Sequence, residues 1–363
     1  MKNESQQTVS AETLFEHKTG LMSLADKFSF FLPPEAAVKI PGLMLTMSIA
    51  AIAIYTGAQL AYVTPLIVAM GIGILLRNAF ILLPAYKAGI TYSIRTVLRF
   101  AVALLGVRIT VDNITGLGWE GLVVALVPLL FTLLLTMWMG RLMKCDHSQS
   151  FLIATGTSIC GASAIMTAGA VTQAKEDNMI VAISSITVFG TILMLGYPVM
   201  YKSGCLQLTA EEYGIWAGAS IHEVAQVIAA AFGGGEASGE IGTIIKLTRV
   251  AALVPFAFII SYMYANKMIR PGGSEQQGAV KFPLFLFGFL GMVLLNSNEF
   301  FTMKAIRAIE YFDMFLLTMA MGAMGLETDF KRLATIGYKP FFLSIFSTLV
   351  ISGASLALVY LLY

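Results

Sequence analysis

Seven stretches of this chain contain no Asp, Glu, Lys or Arg: Ile40 to Leu76, Gly121 to Gly140, Ser148 to Ala174, Asn178 to Tyr201, Val250 to Asn266, Phe282 to Asn298 and Pro340 to Tyr363. A helix crossing the hydrocarbon core of a bilayer needs about 20 predominantly apolar residues. Runs of that length, repeated along the chain, point to lipid as the solvent. The composition agrees, with 57% hydrophobic and 12% charged residues, where a soluble domain carries about 25% charged. The runs are continuously apolar rather than alternating, so the spans read as α-helices and not as barrel strands. The expected fold class is an all-α polytopic membrane protein.

Ile40 to Leu76 is long enough for two spans, with a break near Thr56 to Gln59 or at Thr64-Pro65. With the shorter interrupted stretches, eleven spans are expected, near 41–58, 63–80, 92–110, 120–142, 148–172, 178–201, 211–232, 241–266, 281–297, 304–326 and 338–363. They form one transmembrane domain over 40–363. Residues 1–39 read as a cytoplasmic segment without secretory-signal features, in which 20–34 has the pattern of an interfacial helix. In this topology Lys39, Arg77, Lys87, Arg95, Arg141, Lys144, Lys202, Lys267, Arg270, Lys281, Lys331, Arg332 and Lys339 share one side, which the positive-inside rule makes cytoplasmic. Lys175, Lys304 and Arg307 fall on the other. The N-terminus is then inside and the C-terminus outside.

The chain also resembles itself. PLIVAMGIGILLRN (65–78) aligns with PLFLFGFLGMVLLN (283–296), and LLGVRITVDNITGLGWEG (104–121) with AMGLETDFKRLATIGYKP (323–340). Both pairs are seven spans apart, an odd number, so the copies run in opposite directions, as in transporters built from inverted repeats. Repeat 1 covers about 41–145, a central region about 148–232, and repeat 2 about 241–363. Within the central region TGTSICGASAI (155–165) echoes AGASIHEVAQVI (217–228). Small and hydroxylated residues there suit discontinuous helices near the midplane, where backbone groups face substrate and ions; tight helix packing through small residues is the alternative. As simple spans, two apart, these segments would be parallel and would not fit an inverted pair unless one is re-entrant.

Ionisable residues inside the apolar runs are costly and by default functional. His222 and Glu223 lie in the middle of AGASIHEVAQVIAA (217–230), with Gln226 on the same helical face as His222. Lys246 and Arg249 share a face one to two turns inside the expected start of their span, where snorkelling to the interface competes with an anion site. Arg99, Glu310 and Asp313 read as shallower, with snorkelling or an inter-span salt bridge as their account.

Enzyme motifs are incomplete. HEVAQ (222–226) has Gln226 where a zinc site needs its second histidine. Gly156 to Cys160 lacks the closing glycine of a nucleophile elbow, and nothing sets Cys160 beside His222 as a dyad. No nucleotide-binding loop occurs. Cys145, Cys160 and Cys205 show no disulfide or metal spacing, and a formal charge of +2 spread over loops forms no nucleic-acid patch. No enzyme activity, cofactor or metal is expected.

TGTSICGASAI, GASIHEVAQV and IKLTRV together resemble the sulfate exporter family of bacterial inner-membrane proteins, with SIHEVAQV (220–227) the most specific stretch; the resemblance covers residues 36–363. That family is grouped with the cation/proton antiporter and anion transporter superfamily, which includes the bile acid sodium symporter-like proteins. The resemblance implies crossed discontinuous helices, elevator-like alternating access, a bacterial inner-membrane location and a homodimer, and it fixes no substrate. The function expected from residues and resemblance together is secondary active transport of a small anion such as sulfate, a sulfonate or a carboxylate, coupled to H⁺ or Na⁺. Lys246 and Arg249 would attract the anion. Thr157, Ser158 and Ser220, with backbone N–H groups near Gly156 and Gly161, would bind its oxygens. His222 and Glu223, with Gln226, would couple or gate. A channel or a non-transporting sensor on the same fold is the rival reading.

Overall fold

A computed structural model describes residues 37–57, 59, 64–265, 284–329 and 337–363. The interfacial helix expected at 20–34 lies outside them, as do several of the loop charges sorted above. The described residues are helical: α1 Ile40–Gly57, α2 Pro65–Ala79, α3 Pro84–Arg108 (with a π-segment at Ser93–Val97 and a 3₁₀ end), α4 Val111–Gly116, α5 Gly118–Leu142, α6 His147–Ser158, α7 Ala162–Thr172, α8 Glu176–Lys202, α9 Ala210–Ser220, α10 Val224–Phe232, α11 Glu236–Ala251, α12 Leu253–Ala265, α13 Leu284–Ser297, α14 Met303–Glu327 and α15 Tyr338–Leu362. Seven helical stretches among these residues are long and apolar enough to cross a membrane: α1, α3, α5, α8, the α11–α12 run Glu236–Met263, α14 and α15. Pro65 and Pro84 start α2 and α3, where a missing N–H costs nothing. The span expected from residue 92 therefore begins at Pro84.

The helices fall into two packed groups. One contains α1, α2, α3, α13 and α14; the other contains α5 to α12 and α15. Small residues set the closest approaches. Gly73 of α2 stands against the backbone of Gly322 and Gly325 of α14, and Gly218 of α9 against Gly242 of α11, leaving no room for a Cβ. Between the groups, α10 packs on α14 and α2.

Side-chain contacts define two ends of the bundle. At the first, Arg77 pairs with Asp329 at 2.9 Å, Lys339 Nζ donates to the Lys144 carbonyl at 3.0 Å, and Asn178 Nδ2 donates to Asp146 at 3.2 Å. At the second, Arg108 pairs with Glu236 at 3.6 Å, the Val111 N–H donates to Ser297 Oγ at 2.8 Å, and Tyr363 reaches the Leu117 carbonyl.

The Asn178–Asp146 bond corrects the expected path of the chain. Asp146 caps α6 and Asn178 lies in the first turn of α8, so the segment between them leaves the first end and returns to it. Ile165 fills the space beside Gly156, and Leu152 lies beside Gly169, so α6 and α7 are antiparallel. Residues 148–172 are thus a re-entrant hairpin with its tip at 159–161, not a through-running span. The same holds at 211–232. Tyr213 Oη donates to the Ala230 carbonyl at 2.9 Å across the α9–α10 hairpin, whose tip is 221–223 and whose base adjoins the second end, where Tyr201 stacks on Tyr213 at 4.3 Å. The hairpins enter from opposite ends, which removes the parallel arrangement that simple spans required. Lys175 consequently joins Lys144 at the first end, and Lys202 moves to the second.

Candidate functional site

The two hairpin tips meet halfway along α8. Thr187 Oγ1 donates to Glu223 at 3.1 Å, nine residues beyond Asn178, which binds Asp146. Each tip strands the last carbonyls of a half-helix, α6 or α9, at the negative end of its dipole. Two cations answer them. Lys246 Nζ donates to the carbonyls of Ile159 at 3.1 Å, Ile221 at 2.9 Å and His222 at 2.5 Å. Arg249 donates through Nη1 to Gly218 at 3.2 Å and Ala219 at 2.7 Å, and through Nη2 to Thr157 at 3.1 Å and Ser158 at 2.8 Å.

Both cations are 0% exposed. They lie about ten and thirteen residues into α11, roughly 15 and 20 Å along its axis at 1.5 Å per residue, because the helix starts at Glu236 and not at 241. Neither snorkels. Arg249 Nε keeps no partner.

The complementary ends of the hairpins are positive. Glu223 is the N-cap residue of α10, and its side chain stands against the backbone at Gly161, the residue that precedes α7. Gly161, at φ 75°, lies so close to Glu223 that a Cβ there would overlap its side chain. Glu223 is half-buried, whereas its neighbours His222 and Gln226 are fully buried.

His222 and Glu223 point to different partners. The His222 ring meets Thr348 Oγ1 at 3.0 Å and the Ser220 carbonyl at 3.3 Å. Gln226 fills the space beside Gly190, donates to the Thr187 carbonyl at 3.0 Å and accepts from the Glu223 N–H at 3.3 Å. Ser220 is committed to Trp216 and Tyr197. Thr157 and Ser158 differ: their hydroxyls are buried without a partner. Gly156 serves hairpin packing against Ile165 rather than presenting its N–H.

All ten residues singled out in the sequence, from Gly156 to Arg249, therefore stand at or directly behind the two tips. Sequence reasoning missed Thr187, Thr191, Tyr197 and Thr348, which bind the tips from α8 and α15. Their signal was faint, since a lone hydroxyl in an apolar helix is commonplace. Asp313, read as shallow, is 0% exposed and has no hydrogen-bond partner on either oxygen, and Arg99 is exposed. Among the described residues no cluster of His, Cys, Asp and Glu could hold a metal.

A helical bundle with this many apolar helices and a buried polar centre is a multi-pass membrane protein. The model of a family described as conserved hypothetical protein 698 matches residues 41–344. Relatives include a UPF0324 membrane protein of Pseudomonas putida, 34% identical over 82% of this chain and 84% of the relative. Another is a UPF0324 membrane protein of Bacteroides thetaiotaomicron, 32% identical over 86% and 96%. A third, from Corynebacterium glutamicum, is 34% identical over 87% and 91%. The chain belongs to this membrane protein family. No solved structure matches it.

Proposed function

We propose that this protein is a secondary active transporter of a small anion, with sulfate, sulfonates and carboxylates as the candidate class, coupled to H⁺ or Na⁺. The observation that carries the reading is the charge balance at the tips. Two fully buried cations, Lys246 and Arg249, stand there against one carboxylate, Glu223. Buried charge is tolerated when paired or when it serves a substrate path. The cations hold the carbonyls of α6 and α9 and supply the positive field. The anion binds at the starts of α7 and α10, between which the Glu223 side chain now lies, with the unpartnered Thr157 and Ser158 hydroxyls nearby.

In this reading α1, α2, α3, α5, α8, α11 with α12, α13, α14 and α15 cross the inner membrane and the hairpins enter from opposite faces as an inverted pair. The first end, with Arg77, Lys144, Lys175 and Lys339, faces the cytoplasm. The N-terminus is then cytoplasmic and the C-terminus periplasmic. Elevator motion carries the group with the hairpins against the group of α1, α2, α3, α13 and α14. That second group dimerises through the exposed apolar faces of α1 and α13, which include Tyr55 and Phe287.

The test is a thermal-shift comparison of sulfate, a short sulfonate and a short carboxylate at two pH values, with and without Na⁺, since ligands of the native state raise apparent stability. The anion that stabilises is then followed into proteoliposomes. Flux that needs an H⁺ or Na⁺ gradient supports the reading. Flux indifferent to both supports a channel, and stabilisation without flux a sensor.

A further inference from the structure

Asp313 lies ten residues into α14, roughly 15 Å from that helix's start at the second end of the bundle. Its side chain is 0% exposed and neither carboxyl oxygen has a hydrogen-bond partner. An ionised carboxylate buried without partners costs several kcal/mol, about as much as a domain can spare. The neutral acid is the form that this packing accommodates.

The charged groups around it are few. Arg108, at the 3₁₀ end of α3, reaches the carbonyl of Glu310, which lies one turn before Asp313 on α14. On the other elements packed against α14, α1 and α10 carry no charged residue, Arg77 of α2 is held by Asp329 at the opposite end, and Lys87, Arg95 and Arg99 of α3 are exposed. From α11, Glu236 pairs with Arg108, and Glu240 follows one turn further along that helix. Among the described residues Arg108 thus stands beside Asp313, Glu310 and Glu236, with Arg307 exposed one turn before Glu310, and its own bonds are weak. It reaches Glu236 at 3.6 Å and the Glu310 carbonyl at 3.4 Å, lies over the Phe232 ring at 5.6 Å, and leaves Nε unpartnered.

Phe232 ends hairpin α9–α10 and Glu236 begins α11, so Arg108 ties the α3–α14 pair to the group that holds the hairpins. We propose that Asp313 is a proton-binding site whose occupancy decides whether Arg108 docks on Glu236 and Phe232 or turns to the Asp313 carboxylate. The proton bound at Asp313 permits the docked arrangement. Its loss to water creates a carboxylate that draws Arg108 inward and releases the hairpin base. On the transporter reading given above, this makes the proton a coupling ion and adds a second protonatable carboxyl on the opposite side of the group interface from Glu223.

Infrared difference spectra of the purified full-length protein, recorded between acid and alkaline pH, test the proposal. A carboxylic-acid C=O band that titrates in the parent protein and is lost in Asp313→Asn, and that is insensitive to replacing NaCl by choline chloride, is the expected result. Asp313→Glu, which keeps the carboxyl and displaces its band, assigns the band if Asp313→Asn does not fold. Spectra that are the same in the parent protein and in the Asp313 variants, or an Asp313 band abolished by Na⁺ alone, overturn the proton site; the first of these leaves the anion-transport reading standing. A band present in a protein whose anion flux ignores the pH gradient removes the link between site and transport.

Discussion

Arg249 donates to the Ser158 carbonyl at 2.8 Å, although the helix carrying Arg249 starts at the end of the bundle opposite to the hairpin that Ser158 closes. One guanidinium therefore joins the two hairpin tips, because its other nitrogen holds Gly218 and Ala219. Lys246, one turn earlier, repeats the link with Ile159 and Ile221. The cations do in this centre what capping side chains do at a helix end in water, with charge added to offset two converging C-terminal dipoles.

Arg249→Ala should accordingly be a stability mutation before it is an affinity mutation. Each buried carbonyl left without a donor costs about 1–3 kcal/mol, so the loss is expected at about 3 kcal/mol or more. Arg249→Lys keeps the charge but not the planar fork and should fall between Arg249→Ala and the parent. Thermal unfolding in mild detergent gives the order. An Arg249→Ala midpoint equal to the parent's would show that the carbonyl bonds contribute nothing.

Glu223→Gln should separate charge from shape. The amide still accepts from Thr187, whereas the helix starts of α7 and α10 lose the carboxylate that lies between them. Anion binding is expected to persist and to tighten, and its dependence on pH or Na⁺ to flatten. Titration calorimetry with the stabilising anion reads both. Weaker binding with pH or Na⁺ dependence intact would mean that Glu223 is neither competitor nor coupling group.

Much of this centre was legible from the residues. The solvent, the helix class and the cluster Gly156 to Arg249 follow from where charge is absent and where it intrudes. Direction was not legible. A hairpin and a span have the same length and apolarity, and only tertiary contacts such as Asn178 with Asp146 tell them apart. Depth failed for a related reason: Asp313 and Arg99 carry similar local sequence signals, yet one is enclosed by packing and the other is not.

Gly161→Ala tests the closeness of the tips. A residue at φ 75° pays about 1–2 kcal/mol for a side chain, and here the new Cβ would also meet Glu223. Gly196→Ala in α8, with open space around it, is the control and should be neutral or slightly stabilising. Anion-induced thermal shift should fall sharply for Gly161→Ala alone. Equal behaviour of the two variants would place Glu223 elsewhere than at the first hairpin's tip.

The last prediction concerns the path of the chain. If residues 147–172 re-enter, Lys144 and Lys175 lie on one face of the membrane and Lys202 on the other; if they crossed, Lys144 and Lys202 would share a face and Lys175 would be alone. Cys145, Cys160 and Cys205 are free thiols and must first be replaced. Single substitutions Lys144→Cys, Lys175→Cys and Lys202→Cys are then labelled in intact cells with a membrane-impermeant maleimide. Labelling of Lys202→Cys alone is the expected pattern, because the first end is assigned to the cytoplasm. Labelling of Lys144→Cys and Lys175→Cys together, without Lys202→Cys, would keep the hairpin and invert the protein. Labelling of Lys175→Cys alone would rule out the hairpin and with it the meeting of the two tips on Lys246 and Arg249.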